Sequence, residues 1–240
     1  MRFLNTETGE FVERPPETTR YAILSHTWNE EGEQTFTGLR EIQTRYNRRV
    51  REACRVAREA GYDYLWIDSS CIDKSSSSEL SEAINSMYEW YGRSTLCYAY
   101  LADVPSDEDP RAKNSAFRKS RWYKRGWTLQ ELVAPRRVTF LSTDWVFIGT
   151  KHMLVDVIED ITGIADEALL HLKSLDEFSV AQRLSWAAQR ETTRVEDHAY
   201  SLLGIFDINM TTLYGEGLRS FRRLQEEIMR RVPDQSIFAW

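Results

Sequence analysis

The sequence predicts an α/β fold in which a parallel sheet is flanked by helices and followed by a C-terminal helical extension. Three observations carry that reading. Short apolar runs bounded by turn formers occur at residues 21–25, 64–67, 96–101 and 138–141. Helix-compatible stretches alternate with these runs, which is the pattern of a parallel sheet with helices on both faces. From about residue 151 the pattern is helical throughout. Residues 1–150 are therefore read as the α/β core with an N-terminal arm, and residues 151–240 as a helical extension packed on it in one compact domain.

The elements follow in order. Residues 1–20 are polar, end in Pro15-Pro16 and read as a lead-in arm. Tyr21-Ala22-Ile23-Leu24-Ser25 is the first strand. Ile42, Tyr46, Val50, Ala53, Ala57 and Ala60 recur at helical spacing, and Gly61 supplies the stop. Tyr64-Leu65-Trp66-Ile67 is the second strand. Ser76 and Glu79 have capping-box spacing ahead of a face formed by Leu80, Ala83, Ile84, Met87, Trp90 and Tyr91, with Gly92 at the expected end. The third strand covers residues 96–101, a helix is predicted over 120–133 before Pro135, and the fourth strand covers 138–141. Helices are expected over 152–161, 180–188, 195–203 and 218–231. Ser179 with Gln182 and Thr193 with Glu196 form further capping boxes, and Gly204 stands where a C-terminal cap is wanted. The run Ser236 to Trp240 is strand-like, and its apolar character suggests a longer protein continuing beyond it.

Composition narrows the function classes. Thirty-one Lys and Arg against 37 Asp and Glu give a net charge of −6, whereas nucleic-acid binders usually carry a basic excess. No apolar run approaches the length of a membrane span, and the first residues lack the apolar core of a signal peptide. Cys54, Cys71 and Cys97 show no metal-ligand spacing, and His26, His152, His171 and His198 are scattered, so no metal site is expected. These features suit a cytoplasmic protein. Eight Trp, eleven Tyr and ten Phe imply either a bulky core or surfaces for stacking and partner contact.

Open parallel sheets bind ligands outside the carboxyl ends of their strands. Those ends here read Ser25-His26-Thr27-Trp28, then Asp68 through Cys71 to Asp73, then Asp103, then Ser142 to Trp145. They offer hydroxyls, carboxylates, a thiol, an imidazole and indoles, although strand-end loops are polar for reasons of solvation alone. On a continuous helix over 120–133, Trp122, Gly126, Leu129 and Val133 fall on one core stripe at about 100° per residue. Glu131 then lies opposite that stripe, beside Lys124 and Trp127. Either it is a solvated glutamate or, partly dehydrated against Trp127, a carboxyl of raised proton affinity suited to catalysis.

Three stretches together resemble the heterokaryon-incompatibility (HET) domain family of fungal proteins: Tyr21 to Trp28; Tyr64 through Cys71-Ile72-Asp73-Lys74 to Asp103; and Arg125-Gly126-Trp127-Thr128-Leu129-Gln130-Glu131-Leu132. The block from Arg194-Val195-Glu196-Asp197 to Gly217 also resembles the later part of that family's domains. Arg136-Arg137 and His198 depart from it outside the motif cores. The resemblance implies an effector of cell death on fusion of incompatible fungal cells, often joined to a C-terminal nucleotide-binding sensor. The family is in turn distantly similar to TIR domains, which implies a TIR-like (flavodoxin-like) sheet. In TIR domains that cleave NAD, a glutamate shortly after a tryptophan is catalytic, and Glu131 after Trp127 occupies that place. The residue directly after the tryptophan differs.

NAD glycohydrolysis is accordingly the first functional expectation, with NAD as substrate and no cofactor. Glu131 is the catalytic residue, Ser25, His26, Thr27, Asp68 and Cys71 are candidates for binding substrate, and Trp28 or Trp127 for stacking on a ring. Packing under the loop is the alternative role for Trp28. A second expectation is hydrolysis by Cys71 with His26 and Asp68 or Asp73, against a semi-buried, inert Cys71. A third is a non-enzymatic platform that self-associates through exposed aromatics and the basic run from Lys119 to Arg125. A cation and phosphate on Asp68 and Asp73 is the last.

Overall fold

The computed structural model describes residues 1–27 and 48–239. Among the described residues, seven strands form one sheet: β1 (Arg2–Asn5), β2 (Phe11–Glu13), β3 (Ala22–His26), β4 (Tyr64–Ile67), β5 (Leu96–Tyr100), β6 (Val138–Leu141) and β7 (Phe147–Thr150). Their spatial order is β2-β1-β4-β3-β5-β6-β7. The four strands anticipated from sequence, β4, β3, β5 and β6, are the parallel centre. All five residues of β3 are buried, as a strand covered on both faces requires. The chain leaves β3 for β4 on one side and then for β5 on the other. That order is the opening of the doubly wound 2-1-3-4-5 arrangement, and it opens a crevice at the carboxyl ends of the central strands.

Helices follow β3, β4 and β5, whereas β6 runs directly into β7. Helix α1 (Arg48–Glu59) ends in a Schellman motif: the Tyr62 amide donates to the Ala57 carbonyl, the Gly61 amide to that of Arg58, and Gly61 takes φ +79°. The short α2 (Asp68–Cys71) starts directly from β4, and α3 (Ser77–Arg93) buries Ala83, Ile84, Met87 and Tyr91. Helix α4 (Ala116–Lys119) and a 3-10 turn (Arg121–Lys124) precede α5 (Thr128–Val133). The C-terminal part holds α6 (Val155–Thr162), α7 (Asp166–Leu169), α8 (Val180–Ser185), α9 (Asp197–Tyr200) and α10 (Arg219–Arg231). Gly204 packs this part onto α3, since a Cβ there would stand 2.0 Å from Cβ of Tyr88. It is a close-approach glycine rather than the helix cap expected.

Several expectations change. The N-terminal arm is a hairpin: β1 pairs with β2 and with β4, both antiparallel, and Phe3 and Leu4 are fully buried. Strand β7, antiparallel to β6, adds to the predicted strands; its Val146-Phe147-Ile148 run is apolar, but Val146 and Phe147 are exposed. The predicted helix over 120–133 is broken. The chain is extended at Arg125, whose segment forms a parallel bridge with Glu191, and the Gly126 amide donates to the Glu191 carbonyl at 2.8 Å. Gly126 therefore serves close approach to residues 191–192 rather than to the sheet. Residues 236–239 belong to a 3-10 turn (Gln235–Ala239), not a strand.

The capping boxes divide. Ser179 and Gln182 form both reciprocal bonds. Ser76 accepts from the Glu79 amide, but the Glu79 carboxylate turns to Arg2 and to the Asp73 amide. Thr193 caps nothing, and Glu196 instead accepts from the amides of Gly215 and Gly217. Trp28, Ile42, Tyr46 and Trp240 lie outside the described residues.

A buried glutamate at the floor of a cleft

Helix α5 is buried on every side, from Thr128 through Val133. An all-round buried helix needs its ends satisfied from outside. The Lys151 ammonium does this at the C-terminal end, donating to the carbonyls of Leu132 (3.1 Å) and Pro135 (2.5 Å). Burial pushes Lys151 down to about 8. On the other side, Gln130 donates to the Ser201 carbonyl at 2.6 Å. Arg190, 5% exposed, donates to the Arg125 carbonyl (2.9 Å) and the Thr128 hydroxyl (3.0 Å), which fixes the turn leading into the helix.

Glu131 is thus on a buried helix rather than on an outer face, and its side chain reaches the floor of a cleft of about 260 Å³. His26 and Asp68, from the carboxyl ends of β3 and β4, line the same cleft, with Lys74 beside them. Trp127, Arg194, Asp197 and Tyr214 form the opposite side. The Ser25 hydroxyl donates to Glu131 Oε2 and accepts from the Trp122 indole at 2.8 Å. Burial raises the Glu131 carboxyl to about 8; the Ser25 bond draws it down, Asp68 adds to the rise, and Arg125 and Arg190 oppose it. Glu131 is therefore largely protonated at neutral pH.

The sequence candidates separate on this geometry. Ser25, His26, Asp68, Trp127 and Glu131 come together. The His26 Nδ1 stands 3.9 Å from Asp68, and Lys74 Nζ stands 3.5 Å from the other oxygen of that carboxylate. Thr27 is buried, with its carbonyl accepting from Arg49 at 3.3 Å, and does not line the cleft. Cys71 is also absent from the lining: its sulfur accepts from the Ile67 amide, and burial pushes the thiol up to about 12. A thiol so rarely ionised is a poor nucleophile, so the geometry favours the inert role. Asp73 accepts from Ser75, and Asp103 accepts from the Ser120 hydroxyl and the Arg121 amide, so both fix turns. In the basic run, Trp122 and Tyr123 are buried, which leaves it no outward aromatic surface.

Among the described residues no cluster of three or more His, Cys, Asp or Glu is placed to hold a metal ion. None of the helices is long and apolar enough to cross a membrane, again among the described residues.

Sequence reasoning singled out neither Asp197 nor Arg190. Asp197 is buried, accepts from the Tyr214 hydroxyl at 2.8 Å, and is raised by burial against that hydrogen bond. Asp197, Arg194 and Tyr214 line the cleft together with Trp127. The available signal was the acidic pair 196–197 within a recognised motif block. No pattern marks Arg190, whose partners are mostly backbone carbonyls.

Residues 21–116 match the family described as "Heterokaryon incompatibility protein (HET)", and residues 219–240 match a domain of unknown function (DUF8212). The chain is 46% identical over 219 residues to "Vegetative incompatibility protein HET-E-1" of Podospora anserina, a match covering 87% of this chain and 16% of that protein. The chain thus spans about one sixth of that relative's length. No solved structure matches the chain significantly. On this similarity, the chain belongs to the heterokaryon-incompatibility (HET) domain family.

Proposed function

We propose that this domain is a cytoplasmic cell-death effector of fungal self/non-self recognition that cleaves the nicotinamide–ribose bond of NAD. The cell-death role is supported by family membership and by a relative named for vegetative incompatibility. Most of that relative lies outside the match, which suits an effector module joined to a sensor region, such as a nucleotide-binding one.

The observation that carries the chemistry is the Glu131 carboxyl, buried at the floor of the cleft and oriented by Ser25. In the reaction the glycosidic carbon–nitrogen bond breaks and nicotinamide leaves with its electron pair. Water then supplies hydroxide to the ribose, releasing a proton. Positive charge develops on the sugar, as in glycoside cleavage, and a carboxylate in a dehydrated site stabilises it strongly. The cationic pyridinium of NAD favours the ionised form of Glu131, so binding would release the proton that burial holds there. The cleft volume falls just below the usual range for small-molecule sites, about 300–1,000 Å³. It therefore suits the reacting end of a dinucleotide, with the rest lying toward Lys74 and Arg194 at the rim.

Purified domain incubated with NAD should release nicotinamide, and Glu131→Gln should lower the rate by about 100-fold or more while preserving the fold. A wild-type domain that releases none, even when forced to self-associate by fusion to an oligomer, excludes the reaction. Toxicity unchanged in Glu131→Gln would then point to a non-enzymatic platform.

A further inference from the structure

Asp68 stands where β4 passes into α2, at the carboxyl end of a central strand. One of its oxygens is 3.9 Å from His26 Nδ1, and the other is 3.5 Å from Lys74 Nζ. All three side chains line the cleft whose floor is Glu131.

The acidic residues that line this cleft are Asp68, Glu131, Glu191 and Asp197, and they differ in what holds them. Asp197 accepts the Tyr214 hydroxyl at 2.8 Å. Glu191 is exposed, and its backbone amide and carbonyl are taken up by Lys124 and Gly126. Glu131 is buried and bonded to Ser25. Asp68 alone of the four stands between an imidazole and an ammonium group, with its side chain 23% exposed against 1% for His26. One buried carboxyl and one ion-paired carboxylate in a single cleft are suited to different tasks, because their surroundings favour different protonation states. The negative charge of Asp68 also adds to the hold of Glu131 on its proton.

The proposed cleavage leaves one task without a residue. When water adds to the ribose carbon, one of its O–H bonds must break, and an acceptor for that proton speeds the step. We propose that Asp68 is the general base of this cleft: as the water oxygen bonds to the ribose carbon, the water proton passes to the Asp68 carboxylate. His26 and Lys74 hold that carboxylate in place, and its partial exposure lets the proton leave for solvent afterwards. The inference rests on the proposed cleavage of NAD and concerns its second step, since departure of nicotinamide needs no base.

The test is Asp68→Asn in the whole domain, supplied with NAD and labelled nicotinamide. Two rates are read. Formation of ADP-ribose consumes water, whereas exchange of label into NAD returns nicotinamide to the ribose carbon and breaks no O–H bond. ADP-ribose formation should fall about 100-fold or more, and exchange by less than about threefold. A side chain that only supports the cleft would lower both rates together, so a parallel fall overturns the proposal. The split appearing in His26→Gln and not in Asp68→Asn also overturns it, in favour of the imidazole. If Asp68→Asn does not fold, or the wild type exchanges no label, Asp68→Ser with added formate decides. Recovery of ADP-ribose formation by about tenfold or more sustains the base, and no recovery ends it. A wild type that releases no nicotinamide ends the cleavage and this role together. A wild type that hydrolyses NAD beside an equally active Asp68→Asn ends this role alone.

Discussion

Ser25 and Glu131, 106 residues apart in the chain, are joined by a hydrogen bond in which the serine hydroxyl donates to the carboxyl. The same hydroxyl accepts the Trp122 indole N–H, so one small side chain completes two buried polar groups. Ser25→Ala should therefore leave both incomplete, costing roughly 1–3 kcal/mol of stability. It should also raise the Glu131 carboxyl further, because the bond that lowers it is gone. Urea unfolding and carbon-detected titration of Glu131 check the two effects; an unchanged midpoint would contradict the first.

The raised carboxyl makes stability depend on pH. Glu131 titrates at about 8 in the folded protein against an ordinary value of 4.5. Its contribution is fully present below about 4.5 and is lost as pH rises through about 8. Glu131→Gln lacks this slope, so it should gain on the wild type across that window, reaching on the order of 3–5 kcal/mol above pH 8. Parallel slopes for the two proteins would show that Glu131 is ordinary.

Lys151 has the opposite sign. Burial depresses it from 10.5 to about 8, so its contribution is full above about 10.5 and falls as pH drops through about 8. Lys151→Met keeps the aliphatic stem but leaves the Leu132 and Pro135 carbonyls without their donor. The variant should be destabilised by roughly 1–3 kcal/mol at pH 9, and by less at pH 6. Thermal unfolding of both proteins over that range reads the difference.

Gly126 is held where a side chain has no room. A Cβ there would meet Thr192 Cγ2 at 2.4 Å and Ser201 Oγ at 3.3 Å. Gly126→Ala should destabilise by about 1–3 kcal/mol. Thr192→Ser removes the colliding methyl while keeping the hydroxyl that donates to the Arg194 carbonyl, so the double variant should recover part of the loss. Additive losses in a double-mutant cycle would place the strain elsewhere.

What was legible in the sequence was whatever depends on local pattern. The four central strands are apolar runs because a parallel sheet is covered on both faces, and the crevice follows from their order. Glu131 was legible as a residue but not as a place. A rotation of about 100° per residue put it on the outer face only because the helix was taken as continuous. The break at Arg125 and Gly126 is set by the bridge to Glu191, a contact no local window contains. The hairpin of the first residues was missed for a similar reason: Phe3 and Leu4 are only two apolar residues, and β4 gives them a partner from far along the chain. Asp197 was hidden because its partner, Tyr214, comes from another segment of the chain.

Strands β2 and β7 stand at the two ends of the sheet, three and four residues long and antiparallel to their neighbours. Among the described residues the parallel strands thus lie inside the sheet, and these two short strands form its outer edges. Any higher-order assembly of this domain is thereby steered toward side-chain patches and away from fibre growth by strand addition. Such contacts can dissociate and re-form.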